Sequence, residues 1–142
     1  MGQLVDLHTQ LQGLLAQIKA EAGVPLRVYD TPPVQLPELP CVFLLTPDED
    51  FTRLDTETGE RSVTVVIRLI VAATKSQTEL LALADTLIDV ADIWLWDDPL
   101  APLDRARRLG TRGVTPVFGD VPTRGADFPI SVQMLKPIPP AP

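Results

Sequence analysis

The chain has 142 residues, 45% of them hydrophobic and 22% charged, the balance of one ordinary domain that buries a real core. A chain of this length buries roughly 68–70% of the surface its unfolded form exposes, so no disulfide or metal staple is needed. Its 19 acidic against 12 basic residues leave a net charge of -7. That excess argues against a protein whose main role is gripping nucleic acid, but does not forbid one past which DNA slides without sticking. The single cysteine, Cys41, excludes an intrachain disulfide, and a reducing cytoplasm is the simplest compartment. Met1-Gly2-Gln3 is not the start of a secretory leader, and Asp6 stands where myristoylation wants a small polar residue. No apolar stretch approaches the ~20 residues of a membrane span.

The spacing of Leu4, Leu7, Leu11, Leu14, Leu15, Ile18 and Ala22 predicts an amphipathic helix over residues 3–22, stopped by Gly23 and Pro25. Leu26 to Tyr29 reads as a short strand. Pro32, Pro33, Pro37 and Pro40 keep the following segment out of the sheet and extended. Cys41 to Leu45 is a strand apolar on both faces, ended by Pro47. Asp48 to Glu60 is polar and reads as a long exposed loop with a turn at Thr58-Gly59. Arg61 to Thr74 is a long strand, antiparallel to the one before, and the ends nearest the loop are expected to project past the main sheet. Ser76-Gln77-Thr78-Glu79 is a capping box, in which serine and glutamate each satisfy the other's backbone amide. The helix it opens carries Leu80, Leu83, Ala84, Leu87, Ile88, Ala91 and Trp94 or Leu95 on one stripe, and stops near Asp97-Asp98-Pro99.

Leu100 to Leu109 fits a short helical turn or a plain loop. Gly113 to Phe118 reads as a strand pushed to an edge by Pro116, and Gly119 to Pro122 as a turn. Ala126 to Leu135 is a last strand, with Phe128, Ile130, Val132 and Met134 on one face. The expected fold is α+β, with two helices on one face of a mostly antiparallel sheet of about five strands. Residues 1–136 form the domain, and residues 137–142 a flexible proline-rich tail.

No constellation for chemistry emerges, and the chain is not expected to be an enzyme. His8 lies within the first helix without a nucleophile or acid beside it. One Cys and one His cannot build a zinc site. Cys41, after a proline and inside an apolar strand, reads as a buried inert thiol. Asp48-Glu49-Asp50 and Asp97-Asp98 lack the spacing of a calcium loop, and the glycines near Gly110 lack that of a phosphate loop. No cofactor or metal is implied. Arg105, Arg107, Arg108 and Arg112 form the positive patch, which touches an acidic partner or DNA, or pairs with the chain's own carboxylates. Trp94 and Trp96 point in different directions, so one caps the core while the other is free to anchor an interface.

The order of these elements resembles that of tail terminator (tail completion) proteins of long-tailed bacteriophages and gene transfer agents. The features carrying the resemblance are the opening helix Leu4 to Ala22, the extended segment Pro32 to Pro40, the strand pair Cys41–Leu45 and Arg61–Thr74 with its polar loop, the capped helix from Ser76, and two closing strands. They cover nearly the whole chain, without a signature motif. The proline-rich end and the Leu100 to Leu109 insertion have no counterpart in the pattern. The resemblance implies a hexameric ring on the last ring of the tail tube, assembled in the host cytoplasm and lodged at the head-proximal end of the virion tail. Its partners are further copies of itself, the tail tube protein and the head-tail connector, with DNA passing through the ring and no membrane involved. The expected subunit or tube interface is Asp50, Phe51, Arg53, Asp55, Glu57, Glu60, Arg61, Trp96, Arg105, Arg108 and Arg112. A head-tail stopper or neck protein, or a cytoplasmic non-catalytic binding domain, is the alternative.

Overall fold

A computed structural model describes residues 2–96 and 105–139, the side chains of Trp96 and Arg105 excepted. Helix α1 spans Gln3–Glu21 and α2 Gln77–Trp96. The strands are β1 (Arg27–Val28), β2 (Cys41–Leu44), β3 (Asp48–Arg53), β4 (Thr58–Ala72), β5 (Arg105–Arg108), β6 (Arg112–Val114), β7 (Val117–Phe118) and β8 (Val121–Pro137). The fold is therefore α+β and mostly antiparallel, but its sheet has eight strands among the described residues rather than about five.

The sheet is built on two long central strands. β4 and β8 pair antiparallel from Thr58↔Pro137 to Ala72↔Thr123. Period-two alternation gives each strand one apolar face. Val63, Val65, Ile67, Leu69 and Val71 of β4 turn to the same side as Ala126, Phe128, Ile130, Val132 and Met134 of β8, and all are buried. Leu7, Leu11, Leu14, Leu15 and Ile18 of α1 and Leu80, Ala84, Leu87, Val90 and Ala91 of α2 pack on them as one core. The helical stripe of α2 holds as expected at its centre, with Leu83, Ile88, Trp94 and Leu95 half-buried at its flanks. The capping box forms: Ser76 Oγ accepts from the Glu79 amide at 3.1 Å, and the Ser76 amide donates to Glu79 Oε2 at 3.3 Å. Gly23, at φ 72°, ends α1 in a conformation that favours glycine.

The segment expected as a loop from Asp48 to Glu60 is instead the first strand, the turn and the start of the second strand of a tight hairpin. β3 pairs with β4 from Asp48↔Thr64 to Arg53↔Gly59. A sheet-edge strand is wet on both faces, so it needs no apolar alternation, and its charged composition hid it. β2 and β3 follow one another along the same side of β4. Between Leu44↔Ile67 and Asp48↔Thr64 one extra residue is accommodated around Pro47, a bulge that a proline tolerates. β8 flanks β4 along the whole hairpin, so three strands rather than two run to its tip.

The ambiguous segment before Leu109 contains β5, paired with β8 from Arg105↔Gln133 to Arg108↔Ile130; its residues 100–104, like the expected helix stop at residues 97–99, lie outside the described residues. The single strand expected from Gly113 to Phe118 is split by Pro116 into β6 and β7. Pro137, placed in the tail by composition, closes β8 instead, and the Ile138 amide donates to the Glu57 carbonyl at 2.8 Å.

Candidate subunit interface

The helix-free face of the sheet is polar at its centre. Arg68 of β4 and Asp127 of β8 sit opposite one another and form a two-bond pair, Nε to Oδ1 at 2.7 Å and Nη2 to Oδ2 at 2.8 Å. These bonds hold the Arg68 guanidinium above its ordinary range against the cost of burial. Ser62, Thr64, Ser131 and Gln133 continue this face, half-buried. At one end, Cys41, Phe43 and Ile70 make a small second core under Tyr29, Leu39, Leu45 and Phe118. Burial pushes the Cys41 thiol up to about 12, so it stays a neutral hydrophobe at ordinary pH.

The two lateral edges of the sheet differ in charge. On one side β3 carries Asp48, Glu49 and Asp50, and all six residues of this strand are exposed. On the other side β5 carries Arg105, Arg107 and Arg108. Among the described residues β3 pairs only with β4, and β5 only with β8. Each therefore presents an unpaired strand edge. Apolar side chains accompany both: Phe51 and Leu54 are exposed beside the acidic edge, Leu109 beside the basic one.

The expected interface residues divide accordingly. Asp50, Phe51 and Arg53 lie exposed on β3. Phe51 lays its ring over Gly59, where any larger residue would collide with it. Asp55 acts locally, within its own hairpin. Its Oδ1 accepts from the Glu57 and Thr58 amides, both at 2.7 Å, and fixes the turn. Glu57 is exposed at that turn, and Glu60 is half-buried across from Thr52. Arg61 is taken up within the chain, donating to Glu49 Oε1 at 2.8 Å and to Gln3 at 3.2 Å. Arg108 likewise donates to both oxygens of Asp92, at 2.8 and 3.2 Å, which raises its guanidinium further. Within the single chain Arg61 and Arg108 are thus each paired with a carboxylate of their own subunit. Arg105 occupies the register position opposite Gln133, and Arg112, exposed, that opposite Asp127. Trp96 ends α2, and its side chain lies outside the described residues. Asp48 and Arg107, outside the expected interface set though within the polar loop and the positive patch, lie on the same two edges. Only the pairing register sets them at matching levels on opposite edges.

A second surface feature is an apolar groove of about 730 Å³ between the ends of the two helices, lined by Val24, Leu39, Val71, Leu80 and Leu83, with Lys75 and Glu79 among its polar lining. Among the described residues no three His, Cys, Asp or Glu side chains gather in a way that could hold a metal, and no helix is long and apolar enough to cross a membrane. No known protein family matches this sequence, and no curated protein matches it.

Proposed function

We propose that the protein is a structural subunit that assembles head to tail into a ring, in the manner of the phage tail terminators its element order resembles. The observation that carries this reading is the pair of unlike edges on one sheet, acidic at β3 and basic at β5. A closed ring needs heterologous contacts, in which one patch of a subunit meets a different patch of the next. Two complementary edges on opposite sides supply that arrangement. In the role the resemblance implies, the ring is a hexamer that caps the tail tube, stops its polymerisation and joins it to the head connector. The acidic surplus suits a wall past which DNA moves.

Mass by light scattering over a range of concentration, with electron microscopy of the particles, tests the ring. Binding to purified tail tubes tests the tail role. Ring particles that cap tubes at one end are the expected result, and closed dimers would overturn the ring. The apolar groove favours a second reading, a binding domain for a small apolar ligand, since its volume is of the size such pockets have. Saturable uptake of an apolar fluorescent probe, lost in Leu83→Asp, is the outcome expected of that reading.

A further inference from the structure

We infer that β3 of one copy pairs antiparallel with β5 of the next, so that a single sheet runs from subunit to subunit. This rests on the ring reading in one respect, that the partner is a second copy. Strand direction comes first. β3 is antiparallel to β4, β4 to β8, and β8 to β5, so β3 and β5 run in opposite directions. A second copy laid alongside with the same face up therefore brings its β5 against β3 as an antiparallel neighbour, the geometry of every pair in this half of the sheet.

The register makes the contact specific. Asp48, Thr64, Ser131 and Arg107 form one cross-strand row, and Asp50, Ser62, Gln133 and Arg105 form another. Between them lies the row Glu49, Val63, Val132 and Ala106. Residues in one row share a face, and alternate rows share it too. Asp48 and Asp50 thus stand at one end of two rows of the helix-free face, with Arg107 and Arg105 at the other end. Continued into the next copy, these rows set Asp48 against Arg107 and Asp50 against Arg105. The intervening row places the small Ala106 across from Glu49, whose carboxylate is already held by Arg61 at 2.8 Å.

Like-with-like pairings are disfavoured by the same rows. Two β3 strands joined about a two-fold axis at Glu49 would set Asp48 against Asp50, and two β5 strands joined at Ala106 would set Arg105 against Arg107. Directly opposed like charges across a strand pair are destabilising. The head-to-tail pairing matches opposite charges in both rows and satisfies the open backbone edges of both strands.

Two charge-swapped proteins test the pairing, Asp48→Lys/Asp50→Lys and Arg105→Glu/Arg107→Glu. Circular dichroism first confirms that each is folded. Each alone should self-associate about tenfold more weakly than the unaltered protein, or worse, because each now opposes like charges. Mixed in equal amounts they should regain association. Every contact in an alternating assembly then joins Lys to Glu or Asp to Arg, a recovery that mere damage to one surface would not give. Unaltered protein that stays monomeric at every concentration would overturn the pairing. So would swapped variants that associate normally, or a mixture that does not recover. Normal rings from swapped variants would leave the ring reading standing. Recovery in the mixture without any capping of tail tubes would leave the pairing standing and remove the tail role.

Discussion

On the helix-covered face, β4 and β8 present an unbroken field of Val63, Val65, Ile67, Phe128, Ile130 and Val132, none more than 2% exposed. On the opposite face the same two strands present Ser62, Thr64, Arg68, Asp127, Ser131 and Gln133. One backbone ladder serves both, so the contrast is made by side chains alone. The covered face excludes water and supplies most of the hydrophobic stabilisation. Away from the small core of Cys41, Phe43 and Ile70, the helix-free face keeps its groups solvated, paired, or ready to meet another surface. The difference teaches where damage will be fatal to folding and where it will be felt first in association.

The contrast can be broken hardest from the covered side. Leu87, 1% exposed in α2, belongs to the apolar core between helices and sheet. Leu87→Asp should abolish the cooperative thermal transition, while Leu87→Ala should cost about 2–5 kcal/mol and leave a folded protein. A well-folded Leu87→Asp variant would show that α2 does not face the core. On the other face the expected loss is smaller. Arg68→Ala strands the Asp127 carboxylate, whose side chain is 11% exposed, whereas Arg68 itself is 25% exposed. Solvent screening reduces the loss to about 1–3 kcal/mol by denaturant unfolding, and Arg68→Met joined with Asp127→Leu should recover most of it.

Cys41 sharpens the comparison, because it is fully buried on the face without helices. Its thiol is raised in the folded state from 9.0 to about 12. A group raised by folding contributes stability that is whole below its unfolded value and lost as pH climbs through the folded one. The Cys41 contribution should therefore be constant below about pH 9 and decline between there and about pH 12. Cys41→Ala should remove that part of the alkaline decline, and a thiol reagent at about pH 8, below the ordinary thiol pKa, should label Cys41 only when the chain unfolds. The smallest effect belongs to the surface pair of Arg108 and Asp92, 24% and 47% exposed. Asp92→Asn should shift stability by at most about 1 kcal/mol, and less in high salt.

Both helices, the capping box and the inward face of β8 could be read in the chain itself. Each depends on a local signal: the spacing of Leu7, Leu11, Leu14 and Ile18, the Ser76–Glu79 reciprocity, and the alternation of Phe128, Ile130, Val132 and Met134. β3 and β5 could not, because Asp-Glu-Asp-Phe-Thr-Arg and Arg-Ala-Arg-Arg carry no apolar period. They are strands because β4 and β8 offer them free backbone edges, and a backbone hydrogen bond is indifferent to the side chain.

The same division governs the interface. The charge inventory, an acidic stretch at Asp48 to Asp50 and a basic one at Arg105 to Arg108, is written in the chain. Folding sets Arg61 on Glu49 and Arg108 on Asp92. It alone sets Asp48 level with Arg107, and Asp50 level with Arg105, at opposite edges of one sheet. Local patterns follow from the period of a single helix or strand. The level at which distant residues meet follows from the register of β4 on β8, which the packing of the core face fixes, since a slip of one residue would turn every buried side chain into water.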